Sequence, residues 1–292
     1  LSAITAALLS NLFTGFKTSF QGGFAGVAPT YQRIATVVPS STKTEDYGWL
    51  GNWPKIREWL GDRQVNELAA SKYSITNRTF ETTVGVDRDD IEDDRLGIYT
   101  PMFQELGRSV AAFPDSLVYA LLAAGFTTKC YDGQYFFDTD HPVGDGVVSN
   151  HGGGAGTPWF LLDTSRALKP LIYQSRRPFG FTGLDKPTDP NVFNQNKFVY
   201  GSDGRCNVGF GFWQMAFGSK QTLDASGYEA ARAAMMALKD DAGNPLGLKP
   251  DLLVVPGTLE GAARRLVVSE LTGGGNTNEW AGSAELLVSQ YL

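Results

Sequence analysis

Histidine and cysteine are scarce: the 292 residues hold two of each, His141, His151, Cys130 and Cys206. Two cysteines are too few for a disulfide framework and lack the spacing of a zinc-binding set, so they read as reduced, buried thiols. No apolar run approaches the ~18 residues of a membrane span, and the first residues lack the basic flank of a secretion signal. Nor is there a long run of lysine or arginine. With 25 basic against 31 acidic residues and a formal charge of −6, the electrostatic footprint of a protein that grips nucleic acid by sequence is missing. No internal repeat is visible.

Apolar material is ample, at 42% hydrophobic and 12% aromatic residues, which supports a real core and excludes global disorder. Glycine is in excess, with 34 residues against a typical share of ~7%, so bends and loops must be numerous. The length suits one elaborate domain or two modest ones.

Residues 1–20 carry Ile4, Leu8, Leu12, Phe16 and Phe20 at four-residue spacing, which predicts an amphipathic helix with Ser2 as its cap, stopped by Gly22, Gly23 and Gly26. From Ala28 to Tyr47 there is no helical period, and Pro29, Pro39 and a Ser/Thr cluster suit an extended arm that needs a neighbour. Trp49, Trp53 and Trp59 are three of the six tryptophans, with Arg57 and Arg63 interleaved. Trp and Arg dominate interface hot spots, whereas the same residues could equally form a satellite core.

Phe80, Thr82, Val84 and Val86 alternate as a strand, with a bend at Asn77-Arg78 and an acidic break over 87–94. Thr100-Pro101 predicts a helix start, and Phe103, Leu106, Val110, Phe113, Leu117 and Leu121 form one stripe to a cap at Gly125. Pro114 inside it predicts a kink or two abutting helices. Residues 127–158 read as a long loop with a small hairpin, and 179–195 as a second polar excursion. Strands are expected at 168–175, 197–201, 206–217, 252–255 and 284–288. Ser226 with Glu229 predicts a capping box for a helix through Lys239, and Thr258 caps another. Helices and strands mix without a βαβ rhythm, so the class is α+β.

Catalysis finds no coherent candidate. His141, in Asp138-Thr139-Asp140-His141-Pro142 with Asp145 nearby, hints at a metal site, but the spacing fits no calcium loop, and turn formation by Asp and Pro explains the same residues. His151-Gly152-Gly153-Gly154 matches the run that supplies an oxyanion-hole amide in some hydrolases. No Gly-x-Ser-x-Gly elbow accompanies it, and no later histidine exists. Gly209-Phe210-Gly211 sits in a strand pattern and is no dinucleotide fingerprint. Neither a metal, a cofactor nor a catalytic residue is assigned.

Five motifs carry a resemblance: Glu81-Thr82-Thr83-Val84-Gly85-Val86-Asp87-Arg88-Asp89-Asp90 running into Phe103-Gln104-Glu105-Leu106-Gly107-Arg108; Phe136-Phe137-Asp138-Thr139-Asp140-His141-Pro142; Lys169-Pro170-Leu171-Ile172-Tyr173-Gln174-Ser175-Arg176; Tyr200-Gly201-Ser202-Asp203-Gly204-Arg205 with Gly209-Phe210-Gly211-Phe212-Trp213-Gln214; and Pro250-Asp251-Leu252-Leu253-Val254-Val255-Pro256. Together they span roughly residues 45–292, and in this order they resemble the Mu-like bacteriophage major head subunit family.

That resemblance implies the HK97-type capsid fold: an N-terminal arm (1–45), an extended loop (46–85) reaching a neighbouring subunit, a peripheral domain (86–135) with a spine helix (98–124), a mainly axial domain with return segments to the peripheral sheet (136–270), and a C-terminal strand region (271–292). It implies a structural, non-enzymatic major capsid protein of a tailed double-stranded DNA phage. Pentamers and hexamers would close into an icosahedral shell around the genome, without sequence-specific DNA binding or a membrane. Scaffold or protease, portal and decoration proteins would be partners, with assembly in the bacterial host cytoplasm and a final place in the virion. Inter-subunit contacts are expected at Trp49, Trp53, Arg57, Trp59, Arg63, Gln174, Arg176 and Arg177. Rival readings are a phage tail or baseplate protein and a hydrolase using His151-Gly154.

Overall fold

The structure is a computed structural model that describes residues 4–50, 73–93 and 96–292. Helix α1 (Ala6–Ala25) is capped by Thr5, whose hydroxyl accepts the Leu8 amide at 3.2 Å; Ser2, the expected cap, lies outside the described residues. Gly22 and Gly23 do not stop the helix, which runs on to Gly26. Strand β1 (Ala35–Pro39) follows, then β2 (Thr44–Asp46), β3 (Ser74–Thr76) and β4 (Arg78–Asp87). The bend expected at Asn77 is a full break, since β3 pairs with β2 and β4 with a different sheet. The acidic stretch after β4 folds as the short helix α2 (Arg88–Glu92).

Helix α3 (Tyr99–Ala124) is unbroken over 26 residues, about 39 Å at the α-helical rise. Thr100 is not its cap. The helix begins one residue earlier, after a 3-10 turn at Leu96–Ile98, so Pro101 lies in the first turn, where its missing N–H costs nothing. Pro114 removes one ladder hydrogen bond without splitting the helix. Residues on both sides of it, Phe103, Leu106 and Val110 before and Val118 and Leu122 after, stay buried in one stripe, and that packing outweighs the lost bond.

The expected loop after α3 contains the small hairpin expected in it, β5 (His141–Val143) and β6 (Gly146–Val148), and one further strand, β7 (His151–Gly154), before β8 (Trp159–Leu162) begins. Strand β9 (Leu171–Leu184), helix α4 (Pro190–Gln195) and strand β10 (Lys197–Phe210) replace the second excursion and the two short strands expected there. The run 206–217 therefore divides: its first part ends β10, and its last begins β11 (Ala216–Lys220) in another sheet. Helix α5 (Ala225–Met236) is capped by Asp224, whose Oδ1 accepts the Gly227 amide at 2.8 Å, while Ser226 donates to that same oxygen. The cap is thus two residues earlier than expected. Strand β12 (Leu252–Pro256), helix α6 (Glu260–Val267) and strand β13 (Glu285–Ser289) complete the fold; α6 follows a 3-10 turn and has no side-chain cap from Thr258.

Two sheets organise these elements, and the class is α+β. The four-stranded sheet has the order β1-β9-β10-β4, antiparallel except for β1 with β9. Helices α1 and α3 cover it: Phe16, Phe20, Phe103, Val110, Val86, Phe198 and Tyr200 form one buried cluster. The five-stranded sheet has the order β13-β12-β8-β11-β7. Its one face packs against α5 and α6 through Trp159, Tyr228, Met235, Leu253 and Leu266. The other joins a core shared with β9, β10 and the C-terminal half of α3, including Phe160, Leu162, Val254, Phe210 and Tyr119.

Helices α1 and α3 cross where glycine meets backbone. A Cβ on Gly23 would lie 1.9 Å from the Gln104 carbonyl oxygen, and one on Gly107 2.0 Å from that of Phe20. The first helix of the expected arm is therefore docked on its own chain. Among the described residues no helix is long and apolar enough to cross a membrane.

Candidate assembly interface

Strands β2 and β3 form a two-stranded antiparallel ladder, Thr44 opposite Thr76 and Asp46 opposite Ser74. The Tyr47 amide extends it by donating to the Tyr73 carbonyl at 2.8 Å. The chain therefore leaves this ladder and returns to it at one place, and residues 51–72 between, with Trp53, Arg57, Trp59 and Arg63, lie outside the described residues. Of the expected extended loop 46–85, residues 78–85 lie in β4, which pairs with β10 from Cys206 to Lys197.

A buried polar network fixes the ladder to the four-stranded sheet. Gln174, on β9, accepts the Tyr47 hydroxyl at 2.7 Å and donates to the Ile75 carbonyl at 3.1 Å and to Asn77 Oδ1 at 2.9 Å. Asn77 in turn donates to Ser40 Oγ at 2.7 Å and the Thr42 carbonyl at 2.9 Å. The Ser40 hydroxyl and the Ser41 and Thr42 amides all donate to Glu45 Oε1, at 2.8, 2.7 and 2.9 Å. These bonds, led by the Thr42 amide and the Ser40 hydroxyl, lower the Glu45 carboxyl to a pKa of about 2. On the returning strand, the Tyr73 hydroxyl accepts the Phe210 amide at 2.7 Å. Burial pushes the phenols of Tyr47 and Tyr73 up to about 12, so both stay neutral across the physiological range.

The other expected contact residues fall into different environments. Trp49 is half-buried against Tyr47 and Phe212, with ring centroids 6.0 and 5.7 Å away. Gln174 departs from expectation: its side chain has no exposed surface and its polar atoms serve its own chain, so in this conformation it is not available to a neighbour. Arg176 and Arg177 are exposed. The first donates to the Ser40 carbonyl at 3.2 Å, and the second pairs with Asp203 across β9 and β10. The exposed Arg177–Asp203 pair adds little stability on its own, and both arginines remain open to further contacts.

The segment after α1 is tied down by a residue no pattern singled out. Asp115, on α3 and nearly buried, accepts the Tyr31 amide at 2.7 Å, the Thr30 amide at 3.0 Å and the Thr30 hydroxyl at 3.3 Å. Its carboxylate thus caps the 3-10 turn at Tyr31–Arg33 from outside the segment.

The two histidines have separate settings. The glycine run after His151 answers a packing need rather than a chemical one: a Cβ on Gly152 would meet Ser219 Oγ at 2.6 Å, and one on Gly154 the Lys220 carbonyl carbon at 2.4 Å. Strand β7 lies that tightly against β11. The ring of His151 sits 5.2 Å from Phe126, and burial lowers its pKa. A cleft of about 810 Å3 between the β7–β8 connection and α5 is lined by neither histidine. His141 is fully buried, stacked on Trp213 at 3.9 Å, with Nδ1 2.6 Å from Asp132 Oδ2. Asp138, Asp140 and Asp145, the partners that sequence proximity suggests, are not among its ligating neighbours; Asp132 and Cys130 are.

Residues 9–292 match the family described as Mu-like prophage major head subunit gpT. The major capsid protein of Escherichia phage Mu is 45% identical over 303 residues, covering 99% of both chains. The chain belongs to the Mu-like major head subunit family. Among solved structures, the procapsid of bacteriophage JBD30 matches with a TM-score of 0.88 and 48% identity, over 99% of this chain and 100% of that one. The capsid of JBD30 decorated with minor capsid protein trimers matches with a TM-score of 0.80 and 38% identity over the whole of both chains. This head subunit is a structural protein of a tailed phage with the HK97-type fold, and its α3 is the long helix that the resemblance led one to expect.

Proposed function

We propose that this head subunit assembles into pentamers and hexamers that close as an icosahedral shell around double-stranded DNA, in the cytoplasm of the bacterial host. Heterologous contacts repeated around symmetry axes give closed rings, and many modest contacts add up to a durable shell while single ones still correct errors. The observation that carries this reading is the β2–β3 ladder. It joins the segments on either side of residues 51–72 at one hydrogen-bonded base, and Trp53, Arg57, Trp59 and Arg63 belong to that stretch of sequence. In the proposal these residues and Trp49 dock on an adjacent subunit, with Arg176 and Arg177 at the rim.

The net charge of −6 supports enclosure of DNA without a tight grip on it. The likeness to a JBD30 capsid decorated with minor capsid protein trimers supports a comparable decoration partner here, and scaffold, protease and portal complete the proposed set. The test is the double substitution Trp53→Ala with Trp59→Ala in the full chain. The expected result is a folded subunit that forms few or no closed particles by electron microscopy. Normal particles would overturn the docking role, and rings or tubes from the unaltered chain would favour a tail protein instead.

A further inference from the structure

We propose that Cys130, Asp132 and His141 form a binding site for a divalent first-row cation of the zinc type. One ligand atom from each lies within 4.8 Å of the other two. The Cys130 thiol donates to Asp132 Oδ1 at 3.1 Å, and His141 Nδ1 lies 2.6 Å from Asp132 Oδ2, so the carboxylate bridges thiol and imidazole. Thiolate, imidazole and carboxylate are the ligand types that zinc takes, at ~2.3 Å from sulfur and ~2.0–2.2 Å from nitrogen or oxygen, which puts tetrahedral ligand atoms roughly 3.3–3.6 Å apart. Side-chain movements of about 1 Å convert the hydrogen-bonded triad into that geometry.

The surroundings hold the ligands in place. Cys130 and Asp132 share a tight turn closed by the Cys130 amide on the Gln134 carbonyl at 2.8 Å, with Gly133 at φ +88°. Trp213 stacks flat on His141, at 10° between planes, and prevents the imidazole from swinging away. His141 Nε2 is buried without a hydrogen-bond partner, so the ring's polar contact runs through Nδ1, the nitrogen that faces Asp132. Asp132 also lines a cavity of about 90 Å3 together with Asp240, Asp241 and Lys239. Two further carboxylates against one ammonium give that cavity a net negative lining beside Asp132.

Binding would exchange protons only. The cation displaces the thiol proton of Cys130 to solvent, Nδ1 of His141 gives up its proton and Nε2 takes one, and Asp132 trades two hydrogen bonds for coordination. No electrons move. A thiol must lose its proton to ligate, so cation and proton compete and affinity rises with pH.

Cobalt(II) titration of the purified full chain tests this, because a thiolate–cobalt bond gives a near-ultraviolet charge-transfer band. The expected result is a saturable band in the unaltered chain, displaced by zinc, kept in Cys206→Ser and lost in Cys130→Ser. Absence of a saturable band, or its persistence in Cys130→Ser, overturns the proposal. Should Cys130→Ser fail to fold by circular dichroism, proton release from the unaltered chain decides: near-neutral pH, cobalt binding that liberates the thiol proton supports the site, and binding without proton release overturns it.

Discussion

The Tyr47 hydroxyl and the Gln174 side-chain carbonyl meet at 2.7 Å across 127 positions of sequence, joining the last residue of the β2 side of the ladder to the middle of the four-stranded sheet. Because Gln174 also holds Ile75 and Asn77, one buried amide grips the chain on both sides of residues 51–72. A fully satisfied buried network fixes the base of the ladder, since every alternative geometry would leave a polar group without a partner.

Replacing Gln174 with Leu should therefore cost more than replacing Tyr47 with Phe. The leucine strips partners from the Tyr47 hydroxyl, the Ile75 carbonyl and Asn77 together, for about 3 kcal/mol in total, whereas the phenylalanine removes one bond and about 1 kcal/mol. Urea unfolding of the isolated subunit measures both. Equal losses in the two variants would mean that the network is not shared in this way.

Glu45 gives the same base a pH dependence. Its folded pKa of about 2 lies below the ordinary 4.5, so its contribution is complete above about pH 4.5 and disappears as pH falls toward 2, with the proton favouring the unfolded chain. Between pH 6 and about 3, the unaltered subunit should lose more stability than Glu45→Gln, which has no carboxyl to titrate there. A parallel decline in the two proteins would show that the three donors do not depend on the charge.

How far the sequence leads depends on whether a signal is local. The α3 stripe and the Phe80–Val86 alternation are periodic and form the expected helix and strand, although past Pro114 it is Val118 and Leu122 that are buried, with Phe113, Leu117 and Leu121 only partly so, and on β4 only Val86 is fully buried. The second half of β9 was illegible: Pro178 and Gly180 look like loop residues. Strand β1 ends opposite Ser175, so beyond it β9 has an open side on which a missing N–H is tolerated. The cap of α5 was misplaced because Asp224 and Ser226 both have capping side chains, and only the geometry shows the serine serving the aspartate. Asp115, Gln174 and the meeting of Cys130, Asp132 and His141 are tertiary facts; no spacing announces them. The turn at Gly133 has two counterparts, at Gly243 and Gly275, each closed by the same pair of backbone bonds, and the shared glycine was the one local trace of them.

Asp115→Ala should loosen the segment after α1 without disturbing α3, where alanine is the better helix former. It leaves the Thr30 and Tyr31 amides without their charged acceptor, a loss of about 3 kcal/mol. Limited proteolysis should then cut near Thr30 in the variant and not in the unaltered chain. An unchanged digestion pattern would mean that the segment is held mainly by the packing of Tyr31 on Tyr173.

Glycines one residue apart in α1 should respond with opposite signs. A Cβ on Gly22 meets nothing within 4 Å, so Gly22→Ala gains helix propensity and should stabilise the subunit by up to about 1 kcal/mol. Gly23→Ala places its methyl against the backbone of α3 at the Gln104 carbonyl, where no side chain can rotate away. The helices must separate, the Phe16–Phe103 stack at 4.3 Å loosens, and destabilisation of about 3 kcal/mol or more follows. Gly107→Ala meets Phe20 and Phe24 from the opposite helix and should reproduce that loss. Because the two clashes relieve the same crossing, the double variant should lose less than the two single losses added together. Thermal unfolding of the four variants tests the set, and full additivity would show that Gly23 and Gly107 act at separate contacts rather than at one crossing.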